Sequence, residues 1–258
     1  MSVLFVNLIQ AQLTTRRLGR EISYARFTDS TNADLWELLD EGDAVAGQVA
    51  VTDHQRAGRG RHGRPWFSAP DLALPFSVLL EPELPPERLG LLSLAMGVAV
   101  VDAVAAEQVD ARLKWPNDIL VEQRKLGGIL AESRTVDGRL LVVLGTGLNV
   151  NEQATDFPEE LHAGAVSLRM LKGVPVQREL LLAGVLNRFE ALESGGLDDV
   201  TGLWEERCAH LEEPVRVQGP DGELAGRFLG LDDVGHARLD VDGRTEVVSA
   251  GDMDWIAN

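Results

Sequence analysis

The chain contains a single cysteine, Cys208, so no intrachain disulfide can form and no multi-thiolate metal site can assemble. That usage fits a reducing compartment, and a cytoplasmic protein is expected. Basic residues are scarce as well: 24 Lys and Arg stand against 41 Asp and Glu, for a net charge of −17. Outside one loop no basic stretch is dense enough to track a phosphate backbone, so no nucleic-acid partner is expected. No secretory leader is expected. The apolar segment VLFVNLI (residues 3–9) has no basic region before it, is interrupted by Asn7 and has no cleavage site after Ala11. It reads as a packed strand or helical turn. Residues 89–106 form the longest apolar run, but they carry Asp102 and follow Pro85-Pro86, which favours a buried core helix and no membrane partner. A Walker A loop is absent, and no GxGxxG follows a strand with an acidic residue at the right distance, which disfavours those two nucleotide-binding folds. There is no internal repeat and no low-complexity tract.

What is present is enough for one large domain and a small one, with 45% apolar residues over 258 positions. Ser30-Thr31-Asn32, natural N-cap residues, precede ADLWELLD, whose Leu35, Leu38 and Leu39 recur at helical spacing. Residues 48–52 and 72–80 read as strands flanking a Gly-rich loop, with Pro75 marking an edge or a bulge. After the 89–106 helix come short strands at 111–115, 119–121, 126–132 and 139–145, the last returning after Val136-Asp137-Gly138. Two helical patterns fill 176–207, broken near Ser194-Gly195-Gly196. From Pro214 onward, turn signals at Asp221-Gly222, 232–235 and Asp242-Gly243 separate short strands, the pattern of a small β-barrel.

Between His54 and Pro70 no acidic residue occurs, while Arg56, Arg59, Arg61 and Arg64 fall within nine positions. Gly58, Gly60 and Gly63 alternate with them, so backbone amides can approach an anion while guanidinium groups supply forked donors to phosphate or carboxylate. An isolated GRG would be a solvated surface loop. The full string GRGRHGRPW suits a lid that orders over an anionic ligand, with Trp66 closing on a flat group or packing as a plain core tryptophan.

Lys114-Trp115-Pro116-Asn117-Asp118 ends a strand in a turn, placing Asn117 and Asp118 at a sheet edge. Lys125 beside Gly127 and Gly128 can sit against a phosphate or carboxylate, and Gly145-Thr146-Gly147-Leu148-Asn149 interrupts an apolar strand where something approaches closely. Each motif alone has a bland reading as a turn, a solvated charge or tight packing. Together they supply cationic, amide and carboxylate groups to one cleft.

In order, Ser30-Thr31-Asn32, Gln55, GRGRHGRPW, KWPND, KLGGIL and GTGLN resemble the motif series of biotin protein ligases of the monofunctional type, without an N-terminal DNA-binding domain. The resemblance implies an α+β fold. A mixed β-sheet with helices on one face, like that of class II synthetases, would span residues 1–211, and a small SH3-like β-barrel residues 212–258. It implies formation of biotinyl-5'-AMP from biotin and ATP with Mg²⁺, then transfer of biotin to a lysine of a biotin carboxyl carrier protein of acetyl-CoA carboxylase or a related enzyme. A monomer or homodimer is expected.

By the same resemblance Ser30, Thr31, Gln55, Gly58, Arg59, Arg61, Lys125, Gly128 and Gly145 would contact biotin. Trp66, Asn117, Asp118, Lys125, Asn149 and Arg216 would line the ATP and adenylate region, with Asn117 toward Mg²⁺. Lys125 would orient the biotin carboxylate and stabilise charge at the α-phosphorus, Arg59 and Arg61 would hold the intermediate, and Asp118 would accept the proton of the incoming lysine. The chain departs from the family pattern at residues 69–75, where a Gly-rich, Asn-containing stretch is usual, and at Ile256, where a second basic residue is usual. A lipoate or octanoate transferase on a related fold is the nearest alternative, opposed by KWPND and GRGRHGR. A biotin-responsive DNA-binding repressor is opposed by the charge of −17, and a binding protein without catalysis is the third possibility.

Overall fold

Strands β6 (Arg124–Val136) and β7 (Arg139–Leu148) pair antiparallel from Gly127↔Leu148 to Val136↔Arg139 and form the spine of the larger sheet. Their turn is built by Asp137 (φ 50°) and Gly138 (φ 77°), the two left-handed residues that match a hairpin to strand twist. The computed structural model describes residues 3–219 and 222–256. Around the spine the seven strands run in the order β1-β2-β3-β7-β6-β5-β4, with β1 (Ile22–Ala25), β2 (Val49–Thr52), β3 (Leu74–Leu80), β4 (Arg112–Lys114) and β5 (Asp118–Val121). β1 and β2 are parallel because helix α2 (Thr31–Glu41) crosses over between them, and every other pair is antiparallel. The sheet is mixed, as the sequence implies.

One face carries most of the helices. Helix α3 (Gly90–Ala106) is largely apolar and lies between the sheet and helices α5 (Arg178–Ser194) and α6 (Val200–Glu205), with α1 (Val6–Gln12) against α5. The apolar stretch Pro86–Ala106 is long enough to cross a membrane, but 67% of its 18-residue apolar window is buried within the fold, so it is a core helix. The short α4 (Leu168–Lys172) follows the 154–165 segment and is capped by Ser167, which accepts from the Met170 amide.

The expectation of helices on one face alone needs correction. Alternate residues of the strands point the other way, and there Ala50, Leu79, Leu141 and Val143 meet Leu35 and Trp36 of α2 in a second, smaller cluster. The crossover helix takes that face because its stripe of Leu35, Leu38 and Leu39 has the sheet to bury against. It covers only part of the face, and the cleft lies over the rest.

Pro75 is neither at an edge strand nor in a bulge. β3 is internal, but the pairing of β2 ends at Val51↔Phe76, so the missing amide of Pro75 falls beyond the ladder on that side.

The C-terminal strands β8 (Pro214–Gly219), β9 (Gly222–Leu231), β10 (Ala237–Val241), β11 (Arg244–Val248) and β12 (Asp252–Trp255) pair antiparallel in the order β11-β10-β9-β8-β12. The expected barrel is an open five-stranded sheet: no ladder joins β11 to β12 among the described residues. β12 instead lies beside the larger domain, where the Gly251 carbonyl just before it accepts from Arg61 Nη1 at 2.8 Å. The expected turn at Asp242-Gly243 is present, with both residues at positive φ, whereas Asp221 of the Asp221-Gly222 turn lies outside the described residues.

Candidate active site

The cleft floor is a stretch of sheet without side chains. Gly128 of β6 and Gly147 of β7 stand side by side in the register, flanked by Asp118 of β5 and Pro75 of β3, while Gly145 stands beside Ser77. A β-carbon at Gly147 would overlap the Trp66 indole, so the glycine admits that ring onto the sheet. The resulting cavity, about 390 Å³, is lined by Ser30, Thr31, Gln55, Arg59, Arg61, Trp66, Asn117, Asp118, Lys125, Gly128, Gly145 and Asn149, among others.

Its roof is the arginine loop, folded as a small hairpin. Gly60 N–H donates to Arg64 O at 2.7 Å, Trp66 N–H donates to Gly58 O at 2.8 Å, and His62 (φ 55°) with Gly63 (φ 72°) makes the tip. At the base, Asp53 and Asp71, the acids that bound the acid-free stretch, are joined by Asp71 N–H to Asp53 O at 2.9 Å. Asp71 adopts a left-handed φ of 64°, and this is how the 69–75 segment turns the chain back into β3 without the glycines usual in the family. Asp53 is itself anchored in a fully buried ion pair with Arg178 at 2.8 Å and accepts a bond from Tyr24, whose hydroxyl is pushed up to about 12 by burial and by Asp53.

The polar end of the cleft is a chain of side chains. Thr31 donates from both N and Oγ1 to Gln55 Oε1 (2.9 and 3.0 Å), and its hydroxyl lies 2.6 Å from Ser77 Oγ. Ser77 donates to Asn32 Oδ1 at 2.6 Å, and Asn32 Nδ2 donates to Glu132 Oε2 at 2.7 Å. Asn32 belonged to a sequence motif without a role; Ser77 and Glu132 carried no signal beyond polar residues interrupting apolar strands.

At the other end Lys125 Nζ lies 2.6 Å from Asp118 Oδ1 and 6.0 Å from the centroid of the Trp66 ring. The Lys125 backbone is fixed from three directions. Its N–H donates to Gly164 O at 2.7 Å, and its carbonyl accepts from Val166 N at 3.0 Å and Asn149 Nδ2 at 3.1 Å. Asn149 also donates to Val166 O at 3.2 Å, so its amide is a brace for Lys125. Asn117 Nδ2 donates to Ile129 O at 2.7 Å. Among the described residues no group of three or more His, Cys, Asp or Glu is placed to hold a metal ion, so the residues present do not form a dedicated Mg²⁺ cage. Mg²⁺ commonly binds through one or two carboxylates plus substrate phosphates, and Asp118 is the carboxylate beside Lys125.

Two expected contacts are placed elsewhere. Gly58 lies behind the cleft wall, where a β-carbon would come within 2.8 Å of Gln55 Nε2 and of Trp66 O, so its smallness serves the hairpin. Arg216 lies on the small sheet, half exposed and paired with Glu223 at 3.4 Å, away from the cavity lining. The small sheet contributes the side chains of Asp252 and Asp254 to the cleft instead. Burial lowers the Arg61 pKa, opposed by the nearby Asp252 and Asp118 carboxylates.

Comparison with known proteins places this geometry. The profile of the Biotin/lipoate A/B protein ligase family matches residues 24–150, and that of the Biotin protein ligase C terminal domain matches residues 210–254. The biotin--[acetyl-CoA-carboxylase] ligase of Mycobacterium tuberculosis is 38% identical over 243 residues, covering 91% of this chain and 88% of that protein. The bifunctional ligase/repressor BirA of Bacillus subtilis is 31% identical over 252 residues, covering 95% and 77%. Among solved structures, the biotin protein ligase from Aquifex aeolicus in complex with biotin and ATP superposes with a TM-score of 0.79 at 29% identity, covering 92% of this chain and 100% of that one.

Proposed function

Since the chain belongs to the Biotin/lipoate A/B protein ligase family and carries its biotin protein ligase C-terminal domain, we propose that it is an ATP-dependent biotin ligase acting on a biotin carboxyl carrier protein. The observation that carries the reading is one cavity in which the Lys125 and Asp118 pair, the arginine hairpin and the Thr31 to Glu132 polar chain converge over a bare sheet.

The reaction has two steps. A carboxylate oxygen of biotin attacks the α-phosphorus of ATP, and the bond to pyrophosphate breaks with its electron pair. The Nζ of a carrier lysine then attacks the acyl carbon of the mixed anhydride, AMP leaves, and the amine proton is lost. Lys125, a compact cation held at its backbone from three sides, orients the carboxylate and stabilises the charge that grows on the transferring group. Arg59 and Arg61 in the hairpin hold the adenylate and keep water from it. Asp118, 2.6 Å from Lys125, is the acceptor for the proton of the incoming amine. The Thr31–Gln55 and Asn32–Glu132 end offers the donors and acceptors that a polar bicyclic head group requires. In this reading Trp66 and Asn149, both lining the cavity, serve the adenylate.

The reading extends to a catalytic unit over 1–211 and a C-terminal unit over 212–258, acting in the cytoplasm as a monomer or homodimer without nucleic-acid or membrane partners. The net charge of −17 and the burial of the apolar α3 support this extension. Incubation with ATP, biotin and a carrier domain, followed by avidin blotting with lipoate as competitor, tests the function. Biotin on the carrier lysine supports it, and lipoate transfer in its place overturns it.

A further inference from the structure

Asp252 opens β12, pairing with Gln218 of β8. Strand alternation sends Met253, 2% exposed, into the core and turns Asp252 and Asp254 the other way, toward the cleft. Two guanidinium groups of the hairpin converge on the Asp252 carboxylate. Arg61 Nη1 is 3.3 Å from Oδ1, Arg64 Nη2 is bonded to Oδ2, and His62 Nε2 lies 3.7 Å from Oδ1. Arg61 also donates to the Gly251 carbonyl at 2.8 Å. Two residues along, Asp254 pairs at 3.1 Å with Lys114, the first residue of KWPND. One strand of the small sheet therefore grips both walls of the cleft.

An isolated surface ion pair contributes little, but a carboxylate shared by two guanidinium groups in a partly desolvated place is a network. Arg61 and Asp252 retain 22% and 28% side-chain exposure, whereas Arg64, at 68%, adds direction more than burial. A hairpin with glycines at 58, 60 and 63 loses much conformational freedom when it orders, and an anchor at its tip meets that cost before ligand arrives. Arg59, which has no ion pair among the described residues, is left to face the cleft.

From this geometry we infer that Asp252 is a positioning residue, through which the C-terminal sheet holds the arginine hairpin over the cleft. The consequence for turnover rests on the biotin ligase reading; the contact with the hairpin does not.

Amide hydrogen exchange on the ligand-free full chain tests the contact. In Asp252→Asn the hydrogen-bonded hairpin amides of Gly60, Arg64 and Trp66 should exchange about tenfold faster while those of β8 to β10 hold their rates, and Asp252→Glu should restore protection. Unchanged hairpin exchange, or equal acceleration through the whole small sheet, overturns the inference. With biotin and ATP, Asp252→Asn should raise the biotin KM about tenfold, with a smaller change in kcat and more labelling of bystander lysines. A fall in kcat at constant KM overturns the positioning role. If the unmodified protein forms no adenylate, the function reading fails, and the exchange rates still judge the contact.

Discussion

Asn32 Oδ1 occupies the space that a β-carbon on Gly145 would need, so a side chain from α2 and the bare backbone of β7 interlock at the polar end of the cleft. Gly145 faces the cavity, but its smallness serves Asn32, which it allows to reach both Ser77 and Glu132.

Gly145→Ala should therefore displace Asn32 from its partners. Overpacking of this kind costs about 1–3 kcal/mol, and here it falls on the ligand's polar end. The biotin KM should rise about tenfold while the ATP KM changes less than about twofold. Equal rises in both would place the Asn32 chain outside the head-group end.

Lys125→Ala should reduce biotin-dependent ATP–pyrophosphate exchange by about 10²- to 10³-fold, the scale for losing one preorganised charge at a reacting group. Lys125→Arg should recover little, because a planar fork cannot take the place of an ammonium 2.6 Å from Asp118. Undiminished exchange in the alanine variant would remove Lys125 from the mechanism.

Arg59→Gly should loosen retention of the activated intermediate without disturbing the tip contact of Arg61 and Arg64 with Asp252. Mass spectrometry of lysines on an unrelated bystander protein should show increased labelling. If labelling matched the unmodified enzyme, retention would not depend on Arg59.

Stability should vary little with pH between about 4.5 and 6.5, because two buried groups oppose each other there. His210, 1% exposed among Trp204, Phe228 and Trp255, is pushed down to about 3 by burial and by nearby Lys114. As pH falls below about 6.5 the unfolded chain takes up a proton that the folded one refuses, so His210 lowers stability toward acid. Glu152 is raised to about 7 by burial, and as pH rises above about 4.5 the unfolded chain releases a proton that the folded one keeps. Its contribution falls toward alkali. In Glu152→Gln the unfolding free energy from urea titration should climb from pH 4.5 to 6.5, and in His210→Phe it should decline, each with a limiting slope of about 1.4 kcal/mol per pH unit. Flat profiles in both variants would show that neither group is held neutral.

Much of the cleft was legible because its parts are local. The arginines and glycines of the hairpin, the KWPND turn and the paired glycines of β6 and β7 are short runs whose chemistry differs from their surroundings, so composition alone marks them. The hairpin turn at Asp137-Gly138 and the largely apolar α3 were equally readable, because turn geometry and helix burial are written within a few residues.

What the sequence by itself determined was the set of groups, an acid-free arginine loop, a lysine beside glycines and a carboxylate at a turn, together with the elements that carry them. The tertiary structure alone decided who meets whom. Ser77, Glu132 and Asp252 are ordinary residues until register sets Ser77 beside Gly145, α2 brings Asn32 to Glu132, and β12 carries Asp252 to Arg61, 191 residues away in the chain. Arg216 pairs with Glu223 outside the cavity lining, although it stands opposite Asp254 in the register of β8 and β12. The reason is physical: residue type and spacing act along the chain, whereas strand register and the docking of one sheet on another are set by long-range packing that no local pattern encodes.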